Sequence, residues 1–183
     1  MLRIVLTVLY TGLALGANAA QADVAAAQTA LAGEMRKLVF HDTAKALPDE
    51  GLSDLEGAER RLSEWQGRWV VLNFWATWCA PCRKEMPSLD RLAATSGDSV
   101  AVVTVATGRN PPPAVKRFFE EIGVQNLPVL LDPKSALARK MGVFGLPLTV
   151  ILNPEGQEVA RLIGDAEWDS ADARAMLDAL IGH

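Results

Sequence analysis

The sequence predicts an α/β fold, a mixed central sheet flanked by helices with a small extra hairpin on its N-terminal side. Three features predict it. The run "WVVLNFW" at 69 to 75 is β-branched and aromatic with one polar position, as expected of a strand buried on both faces. Helix-period segments then alternate with further apolar runs, which implies crossover connections and parallel pairing. Near the end, "LTVILNPEGQEVARLIG" reads as a hairpin turned by Asn153 to Gly156, adding antiparallel strands.

In chain order, short alternating stretches at Met35 to Phe40 and Glu59 to Leu62 suggest the small hairpin, with Gly51 and Gly57 marking turns. After the first buried strand a helix carries Met86, Leu89, Leu92 and Ala93 at three- and four-residue spacing, with Pro87 expected to kink it. The run "SVAVVTVAT" is a second buried strand. "NPPPAVKRFFEEIG" reads as a helix with Asn110 as its cap, prolines in its first turn and Gly123 at its end. "PVLLD" is a third strand and "PKSALARKMG" a short helix. A last helix follows the hairpin from about Asp169 to Ile181.

The chain has 183 residues, half of them hydrophobic and 22% charged, the composition of one globular domain. Its net charge of -4, with charge runs of mixed sign, argues against nucleic acid, because neutralising phosphates needs clustered Lys and Arg. Residues 1–22 stand apart. After Arg3 no charge appears until Asp23, and small residues at Ala17, Ala19, Ala20 and Ala22 offer cleavage after Ala19 or Ala22. That is the layout of a secretory signal, or of an uncleaved anchor close to the roughly 20 residues that span a bilayer. Either places the domain outside the reducing cytosol. Residues 23–34 are an Ala-rich helix or linker, and 35–183 form the domain.

The only two cysteines, Cys79 and Cys82, lie in "WATWCAPCRKEMPSL", where the first buried strand gives way to a helix. Zinc needs four ligands, and beyond the cysteines the chain offers only His41 and His183. Cu(I) is satisfied by two soft thiolates, so a copper-binding or copper-chaperone module stays open as the alternative function. A purely structural disulfide would close so short a loop that its entropic effect is small. Redox chemistry uses every feature of the position. A helix N-terminus stabilises the thiolate of Cys79, and Pro81 is tolerated where first-turn N–H groups have no helical partner. Cys82, one turn deeper on the same face, is within reach of a disulfide. Cys79 is thus expected to attack and Cys82 to resolve, a cycle that needs no cofactor. Neither Ala80 nor Pro81 is a cation that would stabilise the thiolate strongly, which favours a reductant.

The segments "LNFWATWCAPCRKEMPSL" and "GLPLTVILNPEG" resemble the TlpA-like branch of the thioredoxin superfamily, which includes the ResA and CcmG proteins. The likeness runs from about Gly67 to the C-terminus, and "GDAEWDS" at 164 to 170 is also similar to that branch. It implies a thioredoxin fold and a monomeric periplasmic reductase of protein disulfides, serving cytochrome c maturation or copper-site assembly in oxidases. The implied partners are a copper chaperone, an oxidase copper-site subunit or apocytochrome c, with electrons from a membrane donor of the DsbD or CcdA kind.

By the same resemblance Pro147 is the cis proline beside the disulfide, and the backbone of Leu146 pairs with an extended substrate segment. Glu85 matches an acid kept near the resolving cysteine, where a partly buried carboxylate could exchange a proton with Cys82; otherwise it is a solvated helix residue. Trp78, with Ala80, Pro81 and Leu146, would form an apolar contact surface for the substrate, whereas Phe74 and Trp75 belong in the core. There is no third cysteine for a peroxide cycle, and the CxxC spacing differs from the CxxxC of Sco-type copper chaperones.

Overall fold

The computed structural model describes residues 23–182. The candidate export segment 1–22 and His183 lie outside the described residues. The helices are α1 (residues 23–29), α2 (Ala80–Thr95), α3 (Pro112–Ile122), α4 (Ala136–Lys140) and α5 (Ala171–Ile181). The strands are β1 (Val39–Ala46), β2 (Leu52–Ser53), β3 (Glu59–Arg60), β4 (Trp69–Trp75), β5 (Val100–Thr107), β6 (Val129–Asp132), β7 (Leu148–Leu152) and β8 (Gln157–Ile163). They join in one sheet in the order β1-β8-β7-β4-β5-β6-β2-β3. β4, β5 and β6 run parallel, and β7 turns the pairing antiparallel against β4. The mixed sheet and its helical layers follow the sequence expectation.

β4 is the axis. All seven of its residues are buried, and because successive side chains point to opposite faces, they feed two cores. Trp69, Val71 and Trp75 join the larger core, which is shared with α2, α3 and α5. Val70, Leu72 and Phe74 join the smaller one, which contains Leu137, Ala138 and Met141 of and beside α4. Asn73 falls on the face of the larger core. Its register partners are Thr104 on β5 and Thr149 on β7, so a short polar row crosses the buried sheet beneath α2.

Two sequence expectations are corrected, and one choice between alternatives is decided. The hairpin between residues 35–40 and 59–62 does not form. Met35 lies in a 3-10 turn (Gly33–Lys37) and is fully buried, while β1 joins the far edge of the sheet beside β8. β2 and β3 make their own hairpin at the opposite edge. The Asp54 carboxylate closes that turn by accepting the N–H groups of Glu56 and Ala58, and so local a closure has a smaller entropic cost than the longer loop expected. Of the two readings of residues 23–34, helix or linker, the linker does not hold for residues 23–29, which form α1 with Ala27 wholly buried in the larger core. Nor is Asn110 the cap of α3. Pro111 occupies that position without a side-chain bond, and Asn110 is used elsewhere, as described below.

Leu72 is fully buried in the central strand. Leu72→Ala is therefore expected to cost about 2–5 kcal/mol in denaturant unfolding, with the loss appearing as a lower midpoint at unchanged slope.

Candidate active site

Three loops meet at one end of the sheet. β4 ends at Trp75 and leads into the cysteine pair. β7 starts at Leu148, opposite Phe74 on one side and Ile163 on the other, so the Leu146-Pro147 turn and the loop after β8 are its direct neighbours. The N–H of Gly164 donates to the Pro147 carbonyl at 3.0 Å, tying those two loops together. The Leu146-Pro147 peptide is cis.

Cys79 and Cys82 form a disulfide, with S–S 2.03 Å and Cα–Cα 5.3 Å. Cys79 is the N-cap of α2: its backbone is extended and its Sγ accepts the N–H of Cys82 at 3.3 Å. A cap normally supplies an oxygen to a first-turn N–H; here the sulfur fills that place. The same N–H would strengthen its bond to a thiolate, because hydrogen bonds to ionised acceptors are about twice as strong as neutral ones. Cys82 is fully buried while Cys79 keeps 5% exposure.

The approach to Cys79 is held from below. Asn110 Oδ1 accepts both the backbone N–H of Thr77 (2.8 Å) and its hydroxyl (3.0 Å). Its Nδ2 donates to the Thr107 carbonyl at 2.8 Å. The residue expected to cap α3 instead fixes the loop that presents Trp78. Trp78 is 70% exposed, Ala80 and Pro81 are exposed, and Leu146 is half-buried, so the expected apolar contact residues do reach the surface. Among the described residues no hydrogen bond occupies the backbone of Leu146. Two neighbours went unnoticed in the sequence: Phe144, 93% exposed, and Ile163, at the end of β8. Nothing in their periodicity marks them, because only the topology brings 144 and 163 to the same end as 79.

The cations beside the pair are neutralised. Arg83 bonds Glu121 at 2.9 Å and lies over the Phe118 ring; Lys84 bonds Asp165 at 2.9 Å. His41, a candidate ligand by residue type, is engaged by Glu158 at 2.7 Å. Among the described residues no group of three or more His, Cys, Asp or Glu is placed to hold a metal ion. Among the described residues the two thiolates would be the donors for copper.

Glu85 is 1% exposed. Its Oε2 accepts Asn73 Nδ2 at 3.1 Å, and its Oε1 accepts the Trp168 indole N–H at 2.5 Å. Burial pushes the carboxyl up to about 7, against the pull of the hydrogen bonds from Trp168 and Asn73. It lies one turn along α2 from Cys82, on the same face.

The AhpC/TSA family matches residues 43–160, which include both cysteines, Glu85 and Pro147. The chain belongs to that family. Among its relatives, the thiol-disulfide oxidoreductase ResA of Geobacillus thermodenitrificans is 38% identical over 111 residues, 60% of this chain and 63% of that one. The thioredoxin-like protein YneN of Bacillus subtilis is 38% identical over 110 residues, 60% of this chain and 64% of its own. The chain thus spans a little under two thirds of the length of these two relatives. Among solved structures, the exposed lipoprotein thioredoxin Etrx1 of Streptococcus pneumoniae superposes with a TM-score of 0.61 at 31% identity, covering 74% of this chain and all of that one. The fold is that of thioredoxin-like proteins.

The buried acid sets a pH dependence. The folded protein holds the Glu85 proton up to about pH 7, while the unfolded chain releases it near 4.5. Between those values the folded state binds more protons, so stability falls as pH rises. The expected loss across that window is roughly 3 kcal/mol, and Glu85→Gln should flatten it when unfolding free energy is measured from pH 4.5 to 8.

Proposed function

We propose that the protein is a thiol:disulfide oxidoreductase that reduces disulfides of other proteins outside the cytosol. The observation that carries this is the place of Cys79 Sγ at the mouth of α2, where it accepts the Cys82 N–H, with Cys82 sealed beneath it. The relatives named ResA support the activity. The apolar N-terminal segment 1–22 and the exposed lipoprotein relative support the location.

In the reduced protein the Cys79 thiolate attacks one sulfur of a substrate disulfide. A mixed disulfide forms, and the other substrate sulfur leaves as thiolate. Cys82 then loses its proton to the Glu85 carboxylate and attacks Cys79 Sγ. The Cys79–Cys82 bond forms, the bond to the substrate breaks, and the second substrate sulfur departs as thiolate. The substrate gains two electrons and the pair loses two. Trp78, Ala80, Pro81 and Leu146 give the substrate an apolar seat, and the free Leu146 backbone beside Pro147 pairs with its extended chain.

Electrostatics supports the reductive direction. Arg83 and Lys84 are each paired with a carboxylate, which leaves the helix N-terminus as the main support of the thiolate. A thiolate that is only modestly stabilised makes a reductant. The resemblance to the TlpA-like branch supports copper-site or cytochrome c thiols as substrates and a membrane donor of the DsbD or CcdA kind that restores the dithiol.

In the reduced protein at pH 7, Cys79 should be alkylated roughly tenfold faster than Cys82; equal, slow labelling of both would remove the division of roles. The redox potential should lie below that of a glutathione pool at about -230 mV, and a value near the -120 mV of strong oxidants would reverse the direction. Cys82→Ser, expressed in the native compartment, should hold the substrate covalently on Cys79 for identification by mass spectrometry.

A further inference from the structure

The segment "GDAEWDS" after β8 has no part in the thiol exchange, yet it is fastened to α2 and to the 3-10 turn before β1 by several hydrogen bonds and ion pairs. Asp165 bonds Lys84 on α2, and its carbonyl accepts Lys37 Nζ at 3.0 Å. The N–H of Glu167 donates to Glu34 Oε2 at 2.9 Å. The Ser88 hydroxyl is shared between the Ala166 carbonyl (3.4 Å) and the Trp168 N–H (3.0 Å). Asp169 closes the far end on Arg91. These bonds seat the loop against the side of α2 that carries Glu85. Trp168, though one of the largest side chains in the protein, is fully buried.

The indole points its one polar atom at Glu85, the more deeply buried of the two buried acids on the redox helix. The two carboxylate oxygens are held by separate elements: Oε2 by Asn73 of the sheet, whose Nδ2 also donates to Thr149 Oγ1 at 2.9 Å, and Oε1 by Trp168 of the loop. We propose that Trp168 is a positioning residue, clamping the Glu85 carboxyl through its indole N–H so that the loop after β8 governs when the acid ionises. The inference rests on Glu85 being the proton partner of Cys82.

Trp168 is donor only. It can hold a carboxylate or the carbonyl oxygen of a carboxylic acid, and it favours the ionised form. Asn73 acts in the same sense. The charged groups facing Glu85 across the loop are Asp165, which disfavours ionisation, and the lysines that neutralise it, Lys84 from α2 and Lys37 from the 3-10 turn before β1. A Trp168 that served packing alone would fill the same space with a ring lacking the N–H, and Trp168→Phe would leave the acid unaltered.

The test uses the oxidised full-length protein with no substrate, so that it reads the clamp and not turnover. The side-chain carboxyl carbon of Glu85 is followed by NMR against pH in wild type and Trp168→Phe. The expected result is a midpoint raised by about one pH unit, because hydrogen bonds to charged groups carry roughly that much free energy. An unmoved midpoint in a folded variant overturns the proposal. Should Trp168→Phe fail to fold, the Trp168 indole N–H resonance of wild type serves instead. It should titrate with the midpoint of the carboxyl and lose that inflection in Glu85→Gln; a resonance flat across the range overturns the clamp. Resolution of a mixed disulfide on Cys79, measured in parallel, should slow several-fold at pH 7 in Trp168→Phe, whereas Trp168→Phe should cause no further slowing when made in a Glu85→Gln background. A raised midpoint with an unchanged resolution rate upholds the clamp and removes Glu85 from the redox cycle, so the two readings fail separately.

Discussion

A helix that begins on a cysteine has its reactive atom for a cap. In α2 the only side chain that satisfies a first-turn N–H is Cys79 itself, through sulfur. Pro81 brings no N–H to that turn. Structural demand and chemical demand therefore coincide on one atom, and the surrounding architecture serves to keep it in place. β4 delivers it from the centre of the sheet, Asn110 braces the loop before it, and the turn at Pro147 lies beside it because β7 pairs with β4.

The same helix also carries a group at odds with its surroundings. A carboxylate with almost no access to water is costly to ionise, and Glu85 has no cation among its hydrogen-bond partners. It has an amide and an indole instead. Neutral donors soften the cost without fixing the charge, which leaves the group able to take up and release a proton near neutrality. A lysine in the same place would have pinned it as an anion. The cations nearby are occupied at the surface by Glu121 and Asp165.

Much of this was legible in the residues. "WVVLNFW" corresponds residue for residue to β4, and Gly123 ends α3 in the left-handed conformation its position implied. The cysteine pair, the strand before it and the turn of the late hairpin are local features, and local chemistry writes them. What escaped was long-range. Asn110 carried a cap signal, but Thr77 competed for its side chain from 33 residues away and won. Trp168 could be read as a large apolar residue near a helix start, yet its partner is 83 positions earlier. Asn73 was visible only as the polar exception in a buried strand; that it lies between Glu85 and Thr149 is a property of sheet register, which no single segment holds.

The two rims of the sheet carry a consequence of their own. β1 completes one rim against β8, and β2 with β3 completes the other beside β6, so a stretch of some twenty residues early in the chain supplies both outermost borders. Val39 finds its partner only at Arg161. During synthesis β1 must wait, unpaired, until nearly the whole chain has emerged, although β2 and β3 can pair with each other at once. Contacts so distant in sequence slow folding, and a polypeptide that stays open until its last hairpin exists is one that can be moved through a membrane before it closes. Once closed, the mostly exposed, charge-bearing β1 gives neighbouring molecules little to extend.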